Sequence, residues 1–393
     1  MSYSDETGIG KLKSVSGKTL IYADNAATTK LSDSAFEKMI PFLQEQYGNA
    51  SSQYSLGKNA KCAIEQAREQ IAVAIGADSS EILFTSGGSE GNSWVLSSVG
   101  SGHIITSSIE HYSVLDACRS LESKGVDVTY LPVDSKGRVS VNSVIEAIRN
   151  DTKLVSIMFA NNEIGTIQPI AEIGAYLRKH DILFHTDAVQ AIAHIPVDIT
   201  KLYIDYLTAS GHKFNGAKGT GFLYKRNNVS LPPIIFGGEQ ERGIRAGTEN
   251  VAGIVATGYA ITENISDMPA ITEKLSAFVQ ATISGIRTQI PSVIINGDGD
   301  NRLPGVLNIV FKGIKGESLM HLLDLKGICV STSSACTSGN GKPSHVLTAI
   351  GLTEDQANST IRISYGRCNT MNEVDTIVSS ICDIHKKVMD LCV

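Results

Sequence analysis

The sequence predicts an α/β protein, with a large domain on a mostly parallel sheet and a smaller C-terminal α/β domain. Three observations lead there. Between about residues 80 and 225, short apolar segments alternate with helical patterns, as expected of parallel strands covered on both faces. Near residue 265 the pattern changes to long helices separated by isolated strands. The 393 residues also exceed what one simple core fills well. The expected division is a large domain over residues 20–265 and a small one over 266–393, of which residues 1–19 also form part.

In chain order, the strands of the large domain are expected at Ile82–Thr85, His103–Ser107, Val128–Val133, Leu154–Ala160, Ile182–Asp187, Tyr206–Ser210 and Gly221–Tyr224. Each is short, apolar and partly β-branched, which suits a pleated, buried surface. Ser113–Ser123 and Ile170–His180 carry apolar residues at helical spacing. In the small domain, helices are expected at Ile271–Ile290 and Glu317–Leu325, and strands at Gly305–Phe311 and Ile361–Tyr365. Val374, Ile377, Val378, Ile381 and Val388 form the apolar stripe of a last helix. Ser331–Lys342 is almost entirely Ser, Thr, Gly and Asn around one cysteine, Cys336. Such small polar side chains offer little to pack, so a mobile loop is expected there.

Composition excludes several classes. With 42% hydrophobic and 19% charged residues, the chain is globular rather than disordered. A net charge of −6, not clustered, argues against a surface that grips nucleic acid directly. No apolar run reaches the length of a membrane span, and residues 1–18 lack the apolar core of a signal peptide, so a cytoplasmic protein is expected. Seven cysteines without paired spacing predict free thiols in a reducing compartment. There is no CxxC pair and no HExxH, so no metal site is expected. Gly17-Lys18-Thr19 looks like the end of a P-loop, but Leu12 stands where its first glycine belongs.

Four features carry chemistry. Ser210-Gly211-His212-Lys213 follows a strand, and a lysine at a strand end can reach a cofactor aldehyde at the carboxyl edge of a sheet. A lone lysine is more often a solvated surface residue. Asp187 ends the apolar segment before it; such an aspartate is more often a helix cap, yet pyridoxal phosphate needs one carboxylate at its ring nitrogen. Thr85-Ser86-Gly87-Gly88-Ser89-Glu90 leaves a strand and opens a helix, so its N–H groups suit a phosphate, although glycine turns before helices are common. His111, after the strand near His103, is by itself most simply a packed or capping residue. Beside a cofactor it can stack on the ring and carry protons near neutral pH.

The order of these features, with Asn162 between His111 and Asp187, resembles the cysteine desulfurase family of the NifS/IscS type, among the fold-type I pyridoxal-phosphate enzymes. The resemblance runs from about Tyr22 to the final helix. It rests on Ala23-Asp24-Asn25-Ala26-Ala27-Thr28-Thr29, Asn161-Asn162-Glu163-Ile164-Gly165, Ser210-Gly211-His212-Lys213, Arg245-Ala246-Gly247-Thr248, Ser333-Ser334-Ala335-Cys336 and Arg362-Ile363-Ser364.

The resemblance implies a role for each matching residue. Lys213 would hold pyridoxal 5′-phosphate as a Schiff base and move the Cα proton. Asp187 would pair with the ring nitrogen, His111 would stack on the ring, and Asn162 and Gln190 would lie near its hydroxyl. Gly88, Ser89, Ser210 and His212 would hold the phosphate, with Thr248 of the partner subunit in a homodimer. Arg362 and Asn162 would bind the substrate, L-cysteine, the planar fork of Arg362 matching its carboxylate. Cys336 would take the sulfur as a persulfide, leaving L-alanine, and deliver it to an acceptor protein such as an iron–sulfur scaffold or a thiolation enzyme. Cys62, Cys118, Cys382 and Cys392 sit in helical patterns and are expected to be packed, inert thiols. Three departures stand out: Ser89 where the family commonly has Thr, Ser93 for a frequent Asn, and Glu239 where a third glycine is usual. The rivals are a selenocysteine lyase on the same fold and a non-catalytic sulfur-transfer scaffold.

Overall fold

The computed structural model describes residues 20–332 and 343–391. Its strands are β1 (Ile21–Tyr22), β2 (Ile82–Thr85), β3 (His103–Ser107), β4 (Asp127–Leu131), β5 (Thr152–Ser156), β6 (Leu183–Asp187), β7 (Tyr206–Ser210), β8 (Gly221–Lys225), β9 (Ile294–Asn296), β10 (Val306–Val310), β11 (Ile328–Cys329), β12 (Ser331–Thr332) and β13 (Thr360–Ser364). Strands β2 to β8 make one seven-stranded sheet in the order β2-β8-β7-β6-β5-β3-β4. From β4 across to β7 all pairings are parallel. β8 runs antiparallel to both β7 and β2, so β2 points the same way as β7. The sheet is mostly parallel, as the continuous apolar runs predict.

Alternation along each strand sends neighbours to opposite faces. Ile105, Val155, Phe184, Leu207 and Phe222 belong to one buried core with Ile64, Ile71 and Ile75 of the helix Ser55–Ile75. Their strand neighbours Ile104, Leu154, Tyr206 and Leu223 belong to another, with Trp94, Val114 and Cys118 from the helices Gly88–Ser97 and Tyr112–Glu122. Each large apolar side chain buried this fully contributes roughly 1.5–3 kcal/mol. Two expected strands end early. β4 stops at Leu131, because Pro132 has no N–H for the ladder. β5 stops at Ser156, and the buried run Ile157–Ala160 leaves the ladder to reach an isolated bridge between Ala160 and Ile167.

The described chain divides into two compact units. The first spans residues 28–272 with 297–303 and holds the seven-stranded sheet. The second comprises residues 20–27, 273–296 and 304–391 among those described. It has an antiparallel sheet in the order β12-β13-β10-β9 and the parallel pair β1–β11. The pattern change near residue 265 falls inside one helix, Val251–Gln289, which contains Pro269. The last helix, Met371–Leu391, buries Val374, Ile377, Ile381 and Ile384, while Val378 and Val388 are only half-buried.

Ser331 and Thr332 were expected to begin the loop; they form β12, paired with Arg362 and Ile361 of β13. Backbone hydrogen bonding at a sheet edge needs no apolar side chain, so composition misplaces this boundary. Cys336 and residues 333–342 lie outside the described residues. The five described cysteines are free thiols. Cys118 and Cys382 are buried as expected, but Cys62 is exposed on its helix, and Cys392 lies outside the described residues.

Candidate active site

Strands running the same way bring their carboxyl ends to one edge of the sheet, where open α/β proteins bind ligands. The segments leaving β2, β3, β5, β6 and β7 therefore project from a shared edge. Gly88 and Ser89 follow β2, His111 follows β3, Asn162 follows β5, Asp187 and Gln190 lie at and after the end of β6, and Ser210, His212 and Lys213 stand at the end of β7. Nine candidates spread over 126 positions are thus collected by topology alone (from 88 to 213).

After β2 the chain turns at Gly87, whose φ is 149°. A Cβ there would lie 3.3 Å from Ser210 Oγ, and one on Gly88 would lie 2.8 Å from Val189 Cγ2. Glycine at these positions lets the turn close onto the neighbouring segments. The helix Gly88–Ser97 then begins, and its first turn lines a cavity of about 350 Å³ with Thr28, Ser210, His212 and Lys218. A helix N-terminus and an ammonium group suit an anion such as phosphate. Burial, with the neighbouring Lys213 and Lys218 charges, pushes the His212 imidazole down to about 4, so it is neutral at pH 7. Its Nδ1 lies 3.1 Å from Thr28 Oγ1.

At the end of β3, His111 caps the helix Tyr112–Glu122: the Ser113 N–H donates to His111 Nδ1 at 3.1 Å. Glu110 beside it is wholly buried, and its Oε1 accepts from Ser107 Oγ at 2.6 Å and Met158 N at 2.9 Å. Burial pushes its carboxyl up to about 8, so Glu110 holds a proton at pH 7. After β5, Asn161 closes a turn. Its Nδ2 donates to Ile109 O at 3.0 Å, and its Oδ1 accepts from Glu163 N and Ile164 N at 2.8 and 3.0 Å. This sets the half-buried Asn162.

Asp187 and Gln190 are buried. The carboxylate of Asp187 is oriented by two donors, Val189 N at 3.0 Å on Oδ1 and Asn92 Nδ2 at 2.7 Å on Oδ2. Two residues earlier, His185 sits between Ser156 Oγ (2.8 Å) and Thr208 Oγ1 (3.0 Å), tying β5, β6 and β7 together. Burial pushes that ring down to about 3, so it stays neutral. The half-buried Lys213 ends a short 3-10 turn, Gly211–Lys213, and its carbonyl accepts from His194 Nε2 at 3.0 Å.

Three candidates are not among these strand-end residues. Thr248 is exposed and is not among the cavity-lining residues. Arg362 belongs to the second unit, where its Nη2 donates to Asp24 Oδ1 at 2.7 Å. Cys336 lies outside the described residues. Among the described residues no group of three or more His, Cys, Asp or Glu is placed to hold a metal ion. No described helix is long and apolar enough to cross a membrane. Sequence reasoning assigned no role to Asn92, Ser113, Glu110, Asn161, His185 or Asp24. Asn92 did leave a signal: it is a polar residue two positions before the apolar run Trp94-Val95-Leu96, in a helix that must pack on the sheet.

The family model for class-V aminotransferases matches residues 21–377. A cysteine desulfurase IscS of Methanosarcina thermophila is 47% identical over 377 residues, covering 94% of this chain and 93% of its own. The chain belongs to the cysteine desulfurase family. A second family member, a putative cysteine desulfurase IscS 1 of Bacillus subtilis (strain 168), is 46% identical over 375 residues, covering 94% of this chain and 99% of its own. Among solved structures, a NifS-like protein superposes with a TM-score of 0.88 at 39% identity, over 93% of this chain and 99% of that one. SspA, solved in complex with cysteine, matches with a TM-score of 0.79 at 40% identity, over 87% of this chain and 98% of that one. The strand-end residues described above therefore belong to a cysteine desulfurase fold.

Proposed function

We propose that this protein is a pyridoxal-phosphate-dependent cysteine desulfurase that converts L-cysteine to L-alanine and stores the sulfur on Cys336. The observation that carries the reading is the gathering, at one sheet edge, of a strand-end lysine, a buried oriented carboxylate, a histidine and a glycine turn that opens a helix beside a cavity. These residues fit the cofactor: the cavity at the helix N-terminus suits its phosphate, and the donor-fixed carboxylate of Asp187 suits a protonated ring nitrogen. Bound there, pyridoxal phosphate would act as an electron sink for the substrate Cα. Lys213 would hold the cofactor aldehyde and move the Cα proton. Asp187 would pair with the ring nitrogen, His111 would stack on the ring, and Asn162 and Gln190 would serve its hydroxyl. Gly88, Ser89, Ser210 and His212 would hold the phosphate, joined by Thr248 of the partner subunit in a homodimer. Arg362, with Asn162, would bind the substrate.

The Cys336 thiolate would attack the substrate sulfur; an S–S bond forms, the C–S bond breaks with its electron pair staying on the carbon fragment, and that fragment takes up a proton and leaves as alanine. The unit that holds the seven-stranded sheet forms the cofactor domain and the second unit the small domain, and Cys336 hands the persulfide to a sulfur-acceptor protein in the cytoplasm. The deciding experiment compares Lys213→Ala with Cys336→Ser. Lys213→Ala should lose the reducible cofactor linkage. Cys336→Ser should keep that linkage and still change its absorbance with cysteine, yet form neither persulfide nor alanine, because a serine hydroxyl hardly ionises at neutral pH. Full activity in Cys336→Ser, or sulfur label on Cys329 or Cys368 instead, would overturn the assignment.

A further inference from the structure

A polar side chain sits where the fold favours an apolar one. Asn92 is wholly buried in the helix Gly88–Ser97, near Trp94, Val95 and Leu96. Both hydrogens of its amide nitrogen are used: one goes to Asp187 Oδ2 at 2.7 Å, the other to Ser113 Oγ at 2.9 Å. A carboxylate only accepts, so the nitrogen must face this side. The amide oxygen meets no donor among the described residues. Buried polar atoms are nearly always paired, so an asparagine serving the fold alone would be expected to satisfy both ends. This one orients two other groups and leaves its own acceptor unmet.

The chain of hydrogen bonds continues. Ser113 Oγ accepts from Asn92 and so has its own hydrogen to give, and His111 Nδ1 lies 2.8 Å away. The Ser113 N–H donates to that same nitrogen at 3.1 Å. With two donors aimed at Nδ1, the ring proton belongs on Nε2. The path Asp187, Asn92, Ser113, His111 lies wholly within the first unit.

We infer that Asn92 is a positioning residue that couples the carboxylate of Asp187 to the imidazole of His111 through Ser113 and sets His111 as its Nε2–H tautomer. The inference rests on the proposed reading of the site, in which those two groups meet the edge and the face of one cofactor ring. It is tested first without the cofactor, so its failure is separable from failure of that reading. Nitrogen-15 solid-state NMR of histidine-labelled, cofactor-free protein reports which ring nitrogen carries the proton, and His111→Gln identifies the His111 signals. Wild type should show Nε2–H. Ser113→Ala and Asn92→Leu should each shift the tautomer ratio toward Nδ1–H by roughly 2- to 12-fold, the loss of one hydrogen bond. The double variant should shift it no further than the larger single change, because both break one chain.

An Nδ1–H His111 in wild type, an unchanged ratio in Asn92→Leu, or fully additive shifts would each overturn the coupling. If Asn92→Leu does not fold, Asn92→Asp places an acceptor where the donor was and is read the same way. In the loaded enzyme, Asn92→Leu should lower kcat and leave KM for cysteine unchanged; a rise in KM alone would overturn the assignment. A wild-type protein that showed the tautomer but never bound pyridoxal phosphate would sink the proposed function and leave the coupling standing.

Discussion

Glu110 shows how one buried proton makes stability depend on pH. Its carboxyl is shifted from an ordinary value of 4.5 up to about 8 by burial, with the Asp187 charge acting in the same direction. The folded state therefore binds this proton more tightly than the unfolded chain. The stability it contributes is fully present below 4.5 and is lost as pH rises through about 8. One group accounts for at most about 1.4 kcal/mol per pH unit over that window. Denaturant unfolding of wild type should show this loss, and Glu110→Gln should flatten it while keeping an acceptor for Ser107 Oγ and Met158 N; an identical pH slope in the two proteins would refute the buried proton. Arg362 poses a different question, because its Nη2 already donates to Asp24. The guanidinium has five donors, so a substrate carboxylate can share it. Arg362→Ala should weaken cysteine binding by roughly 10- to 150-fold, since a charged hydrogen bond contributes roughly 1.5–3 kcal/mol. Cofactor affinity should hold, and an unchanged KM with unchanged kcat/KM would remove Arg362 from the site.

The helix Gly88–Ser97 is the element on which the site depends most. It supplies the turn beside the cavity at one end and Asn92 in its interior, and it packs on β7 through Gly91. A Cβ on Gly91 would meet Thr208 Cγ2 at 2.7 Å and Oγ1 at 2.9 Å. Gly91→Ala should push helix and strand apart, lower stability by about 1–3 kcal/mol and weaken cofactor binding together. Thermal unfolding and cofactor titration read both effects, and a fully stable, fully loaded variant would contradict this packing. A second element is held differently. Residues 234–247 form a loop in which Glu241 and Arg242 take left-handed conformations (φ 46° and 59°). Buried Arg68 grips Glu241 with two contacts of 2.7 and 2.9 Å, and Arg242 donates to the carbonyls of Ser79 and Ser80. Glu239, the departure from the family pattern, is exposed and lies outside that clamp.

At the scale of the whole molecule, the clamped loop presents Ile234, Ile235 and Phe236 to solvent, the last 81% exposed. A clustered apolar surface of this kind suits an interface with a second copy, in keeping with the proposed homodimer and with Thr248 of the partner subunit. Phe236→Asp should yield a monomer by light scattering that loses cofactor affinity, and a stable dimer would place the interface elsewhere. Much of the fold was legible beforehand. The cores of β2, β3, β6, β7 and β8 stand where apolar, β-branched runs put them, because a strand buried on both faces must be apolar throughout. Lys213, Asp187, His111 and the Gly87-Gly88 turn were legible for a related reason: each ends or follows such a strand, so a local pattern points at each in turn.

The sequence by itself determined the fold class, the strand cores and the identities of the strand-end residues, because hydrophobic periodicity and turn chemistry act over a few neighbouring residues. Only the tertiary structure decided what depends on distant segments meeting. Ser331 and Thr332 became a strand because β13 offers free backbone partners, and Cys62 became exposed because its helix turns that face outward. Glu110 acquired its proton, and His185 was held neutral, through burial that no local pattern records. Asn92, Ser113 and Asp187 come from two helices and a strand, and nothing in their spacing announces that they touch. Hydrogen bonds form between atoms about 3 Å apart in space, whatever their separation along the chain, so the wiring of the site emerges only once the sheet has brought its strand ends together.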